Sequence, residues 1–99
     1  MTAEATGERG ERDGVRVWLV ERTYGDDELN LVILVYADES GERYFRKERA
    51  LTSFADERET PVSLVVAPDE LGATEPADRE RYAAEATRMA AVHGPEDSI

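Results

Sequence analysis

The stretch "LNLVILVYA" at residues 29–37 has no polar side. Leu29, Leu31, Ile33 and Val35 occupy one parity, and Val32, Leu34 and Tyr36 occupy the other. Its β-branched and aromatic content predicts a strand. Side chains alternate faces along a strand. This strand therefore needs cover on both faces of its sheet. It is also far shorter than the roughly 20 residues of a membrane-spanning helix. A chain of 99 residues must find that cover within one domain or from a partner.

The neighbouring segments supply the rest of a sheet. "VRVWLVERTY" at 15–24 reads as a strand, and "GDDE" at 25–28 as a turn. "DESG" at 38–41 predicts a second hairpin loop, followed by a more polar strand, "ERYFRKERAL", at 42–51. "TSFADERET" at 52–60 suits a short helix capped by Thr52 or Ser53. Pro61 opens a fourth strand, "VSLVVA" at 62–67, and "PDELGA" after it reads as a tight turn with room for one helical turn. Pro76 then suits a first helical position. Tyr82, Ala86, Met89 and Ala90, with Ala83 beside them, recur at helical spacing, and Gly94–Pro95 stops the helix. The spacing predicts a helix over 76–93. The fold class expected is α+β: a four-stranded, mainly antiparallel β-meander packed on a C-terminal amphipathic helix. This domain spans 15–99. Residues 1–14, "MTAEATGERGERDG", read as a disordered acidic and Gly-rich tail.

"RYFRKERA" at 43–50 gathers Arg43, Arg46, Lys47 and Arg49 in a chain with twelve cations and a formal charge of −11. Simple hairpins would set Arg43, Phe45, Lys47 and Arg49 on the face of Tyr36, Leu34, Val32 and Asn30, joined by Val17, Leu19 and Glu21. The other face would carry Trp18, Val20, Leu31, Ile33, Val35 and Tyr44, with Arg22, Arg46 and Glu48 toward one end. Two readings of the cations follow. Glu21, Glu42 and Glu48 are placed to pair with them across or along the sheet. Alternatively, cations among aromatic side chains form an anion-binding or single-strand nucleic-acid surface. The order β-β-β-β-α is also that of small sheet modules that bind single-stranded DNA, a likeness of element order alone.

Catalytic chemistry finds little support. His93 is the only histidine and falls at the expected helix C-terminus, where the dipole favours a cation. No nucleophile–base spacing, glycine-rich phosphate loop or metal-ligand cluster is present, and Asp26–Asp27 reads as turn chemistry. With no cysteine, disulfides and thiolate chemistry are excluded. The expectation is a non-enzymatic protein that needs no cofactor. A small-molecule pocket between sheet and helix has no signal for or against it.

The segments "VERTY", "LVILVYA", "GERYFRKERALTSF", "RYAAEATRMA" and "HGPED" resemble a family of small acidic proteins from halophilic archaea, catalogued as a domain of unknown function. The resemblance covers about residues 15–99 and implies a haloarchaeal cytoplasm. It implies no activity, so no functional residue is carried over. The charge argues independently in the same direction. Twenty-three acids stand against twelve bases and are spread along the chain. Concentrated salt screens such repulsion to about 3 Å at 1 M. Nothing in the sequence suggests a targeting segment, and a soluble cytoplasmic protein is expected.

The functional expectation is an interaction domain, homodimeric, in a high-salt cytoplasm. The alternative is a nucleic-acid-binding regulator that uses Arg43, Phe45, Lys47 and Arg49. The dimer follows from the two-sided strand: one helix covers one sheet face, and a second copy would cover the other. Trp18 or Phe45 would lie near its centre, depending on which face the helix takes. Charge gives a first prediction. Melting temperature rises steadily from dilute buffer to molar KCl, because near 0.01 M salt the screening length is about 30 Å and the carboxylates repel freely. A flat profile across that range would reject the high-salt reading.

Overall fold

In the computed structural model the described residues are 14–24, 31–50 and 60–99. The expectations of a tail at 1–14, a turn at 25–28 and a short helix at 52–60 fall on residues outside these, apart from Gly14 and Thr60 at their ends. The elements run β1 (Val15–Tyr24), β2 (Leu31–Ala37), β3 (Arg43–Ala50), β4 (Ser63–Val66), a 3-10 turn (Pro68–Glu70), β5 (Gly72–Ala73) and helix α1 (Pro76–Val92). The α+β expectation holds: an antiparallel sheet of mainly four longer strands carries one C-terminal helix. The meander is β1–β2–β3. β4 pairs with the free edge of β1, and the two-residue β5 adds beside β3, giving the order β4-β1-β2-β3-β5.

Parity decides what each strand buries. Trp18 pairs with Ala37 and Leu19 with Tyr36, but the next pair is Glu21 with Val35, so a β-bulge sits at Val20. The extra residue reverses the parity of the rest of β1. Glu21 therefore shares the face of Trp18, and Arg22 joins the face of Leu34 and Tyr36. Simple alternation had put Glu21 and Arg22 the other way round.

Helix α1 lies on the face of Trp18, Val35 and Ala37. Pro76 starts it, with Glu75 extended before it, and His93 leaves helical geometry after it. Its buried residues are Tyr82, Ala86 and Met89, the stripe read from their spacing. Tyr82 packs with Val35 and Ala37, while Ala86 and Met89 join the cluster around Trp18. Small residues let the helix approach closely. The sharpest case is Gly41, in the β2–β3 turn at φ 76°. A Cβ there would stand 2.3 Å from the Arg79 carbonyl oxygen and 2.7 Å from the Ala83 nitrogen.

The opposite face is closed as well. Val17 and Tyr36 are fully buried, and Leu34 and Val32 are 1% and 2% exposed in the single chain. Among the described residues, Val62 and Val66 join this cluster, and the Tyr36 hydroxyl donates to the Pro61 carbonyl at 2.7 Å. The segment 60–62 is held in place on both sides. Leu19 N–H donates to the Val62 carbonyl at 2.8 Å, and Thr60 and Ile99 exchange backbone hydrogen bonds at 3.0 and 2.8 Å. Among the described residues, Val17, Val32, Leu34 and Tyr36 on this side of the sheet are therefore buried within the single chain. Trp18 is 5% exposed under the helix, and Phe45 is half-buried against the core.

Gly41→Ala tests the helix–turn contact. The left-handed backbone and the clash with two backbone atoms act together, so a loss of about 2 kcal/mol or more is expected in urea unfolding. Gly94→Ala is the control, since a Cβ there meets only the Asp97 carboxylate at 3.9 Å.

Candidate anion-binding strand

The cations of β3 owe their placement to the turn before it. The Asp38 carboxylate accepts from the backbone N–H groups of Glu42 and Arg43 at 3.2 and 3.4 Å and from the Ser40 hydroxyl at 2.9 Å. Such an Asx-type turn moves the first strand pair outward. Phe45 thus faces Tyr36, Lys47 faces Leu34 and Arg49 faces Val32. The face is the expected one, with the register two residues further along. Arg43, Phe45, Lys47 and Arg49 share it, and Arg22 of β1 joins them through the bulge.

The expected charge pairing forms only in part. Arg46 pairs with Glu48, both on the helix-side face. Glu21 pairs with the helix instead: Arg81 reaches its carboxylate at 3.4 Å and that of Asp78 at 3.1 Å. The Arg81 guanidinium also sits 4.8 Å from the Tyr82 ring centre. Among the described residues, no carboxylate pairs with Arg43, Lys47 or Arg49. Arg43 and Lys47 are exposed, Arg49 is half-buried, and the Nε of Arg49 is enclosed without a hydrogen-bond partner. The aromatic side chains are placed differently from a stacking platform. Phe45 packs against the core, and Tyr36 beside it is fully buried.

β3 also lies at the margin of the sheet. β5 covers it only at Arg43 and Tyr44. Backbone groups of alternate residues point to opposite sides of an antiparallel strand. The Glu42 carbonyl accepts from Thr74 N–H on the outer side, and the Arg43 carbonyl accepts from Asp38 N–H on the β2 side. By that alternation, the N–H and C=O of Arg46 and Glu48 point outward, and among the described residues no strand pairs with them. Among the described residues the open stretch of edge, at Arg46 and Glu48, falls within the cationic segment Arg43–Arg49, which sequence alternation alone did not show.

A groove of about 420 Å³ lies on the helix side, lined by Glu21, Ile33, Val35, Tyr44, Asp78 and Tyr82 among others. The Tyr82 phenol is raised above its ordinary value, first by burial and then by the nearby Glu21 carboxylate. Among the described residues no three His, Asp or Glu side chains converge as metal ligands.

With this geometry established, comparison with known proteins adds one finding. Residues 11–99 match the family of unknown function DUF7967. The chain belongs to that family. Neither the curated proteins nor the solved structures yield a match. The DUF7967 assignment covers every strand and the helix, so family membership and the described fold concern the same unit.

Tyr36 beneath the cationic strand gives a pH prediction. Burial pushes its phenol up to about 12, partly offset by the positive charge of Arg49. A raised acid favours the folded state below the unfolded value, near 10. That stabilisation is lost as pH climbs from about 10 toward about 12. Tyr36→Phe therefore costs about 1 kcal/mol near neutrality through the lost hydrogen bond to Pro61. It also shows a shallower fall in melting temperature above pH 10 than the parent. Equal slopes in the two proteins would contradict the assignment.

Proposed function

We propose that this DUF7967 domain is a non-enzymatic interaction module that binds an anionic partner through the outer strand β3. One observation carries the reading. Three cations on one face of a marginal strand, Arg43, Lys47 and Arg49, have no carboxylate partner among the described residues, in a protein of formal charge −11. An acidic protein otherwise solvates or pairs its few cations. Here Arg46, Arg81 and Arg88 do find carboxylates, so pairing was accessible to this chain. The strand carries four cations against the single carboxylate of Glu48, a local excess of +3. In the concentrated salt that the composition favours, long-range steering is screened, and recognition falls to short, geometry-dependent contacts of the kind arginine makes with carboxylate or phosphate.

Nucleic acid is the second reading, supported by the same cations. It is weakened by the rings: Tyr36 is fully buried and Phe45 is half-buried against the core, so neither offers an open face for stacking on β2 and β3. Tyr24, 64% exposed at the far end of the same face, is the one described ring open to a base there.

Titration of the full chain with a short Asp/Glu-rich peptide and with a single-stranded oligonucleotide, each at low and at molar KCl, tests both. The peptide is expected to bind. Replacing Arg43, Lys47 and Arg49 together by glutamine should weaken it about tenfold, the sum of three contacts of about 0.5 kcal/mol each. The same loss with equal strength for the oligonucleotide would favour the second reading. No binding of either polyanion would reject the anionic partner.

A further inference from the structure

We infer that the partner is an acidic chain segment in extended conformation, added to the sheet as a strand on the open edge of β3. The inference rests on the proposed anionic partner and supplies its form. Two independent features coincide on one strand among the described residues: the side chains of Arg43, Lys47 and Arg49 without a carboxylate partner, and the outward backbone groups of Arg46 and Glu48 without a paired strand. β5 pairs with β3 only at Arg43 and Tyr44. On the Glu42 side it runs through Thr74 and Glu75 into the helix, and on the Arg46 side it is preceded by Leu71 and the 3-10 turn Pro68–Glu70, which is not strand. Beyond it, in the same line, Arg46 and Glu48 present N–H and C=O groups outward. Sheets usually protect such an edge by brevity, proline, a covering element or charged side chains. Of these, among the described residues, β3 has only the charges, which select against an apolar or cationic strand but not an acidic one. β4, at the other margin, follows that rule: it is four residues long and stands between Pro61 and Pro68. β3 is eight residues long and contains no proline.

A strand laid in line with β5 exchanges backbone hydrogen bonds with Arg46 and with Glu48, the usual mode of strand addition to an edge. Its side chains then divide by parity. One set lies beside Lys47 and Arg49, so acids at alternate positions of the segment meet those cations across the strand. The other set faces the helix side, beside Tyr44, Arg46 and the mouth of the groove. A second copy of β3 is a poor occupant, because antiparallel self-pairing sets cation rows of the same sign side by side. The preferred segment is therefore extended, with Asp or Glu at every second residue.

The full chain is titrated with a peptide alternating Glu and Val, and with the same peptide N-methylated at alternate backbone nitrogens. The alternating peptide is expected to bind and to protect the Arg46 and Glu48 amides from hydrogen exchange. Methylation on the edge-facing register is expected to weaken binding at least tenfold at unchanged charge. Glu48→Pro should do the same. Its missing N–H points outward, so the sheet remains intact, and Glu48→Gln controls for the lost carboxylate. Should the proline variant fail to fold, the methylated peptide still decides. Binding that survives methylation and leaves both amides unprotected overturns strand addition while leaving the anionic partner in place. Absence of peptide binding rejects both. An oligonucleotide that binds as tightly as the peptide also overturns it, since nucleic acid cannot extend a sheet.

Discussion

β2 cannot be left with a wet side, and the rest of the molecule is arranged around that requirement. Five of its seven residues are buried, drawn from both parities. A Leu or Val moved from water to a core contributes about 1.5–3 kcal/mol, so two-sided burial of this strand is the largest apolar resource the chain has. It explains why β2 sits between β1 and β3, where both of its edges are paired and both of its faces are closed. It also explains the helix: its stripe of Tyr82, Ala86 and Met89 meets one face, while the sheet's other face is closed in the single chain without a second copy.

The bulge at Val20 reconciles β1 with that arrangement. The first half of β1 buries Val17 and Leu19 on one face and Trp18 under the helix. Had alternation continued, Glu21 would have been directed to the cationic face. The extra residue turns it toward α1, where Arg81 links it to Asp78 and Tyr82 comes within 3.5 Å of it. One residue therefore sets the electrostatic character of both sides. It supplies the helix with a cross-element ion pair and removes from β3 the carboxylate that would have neutralised its cations.

Much of this was legible in the residues, and the remainder has identifiable reasons. β1 matches its expected span, the helix ends one residue early at Val92, and the faces of β2 and β3 come out as alternation requires. Local pattern carries that kind of information because it is set by period and by stop signals such as Gly94–Pro95. The bulge is invisible to it, since Val20 is as good a strand residue as its neighbours. The register of β3 depended on a hydrogen bond from Asp38, a detail of turn geometry. β5 was missed because two residues, Gly72 and Ala73, carry no period at all. For the site, the cluster Arg43–Arg49 was conspicuous in sequence, but which cations would find partners depended on long-range placement of Glu21. The cover that Pro61 and Val62 give the sheet's second face was not legible either, because it depends on where the segment leading into β4 is placed.

The pairing of β1 with β4 sets a temporal order on folding. Val17 lies opposite Leu64, so the first strand to be made must wait for residues far along the chain before its outer edge is filled. At about 5–20 residues per second of synthesis, that wait lasts several seconds. Until then the edge of β1 that β4 fills has no partner. A nascent chain rich in carboxylates repels its neighbours during this interval, so the acidity that burdens the finished fold also keeps its half-built sheets apart.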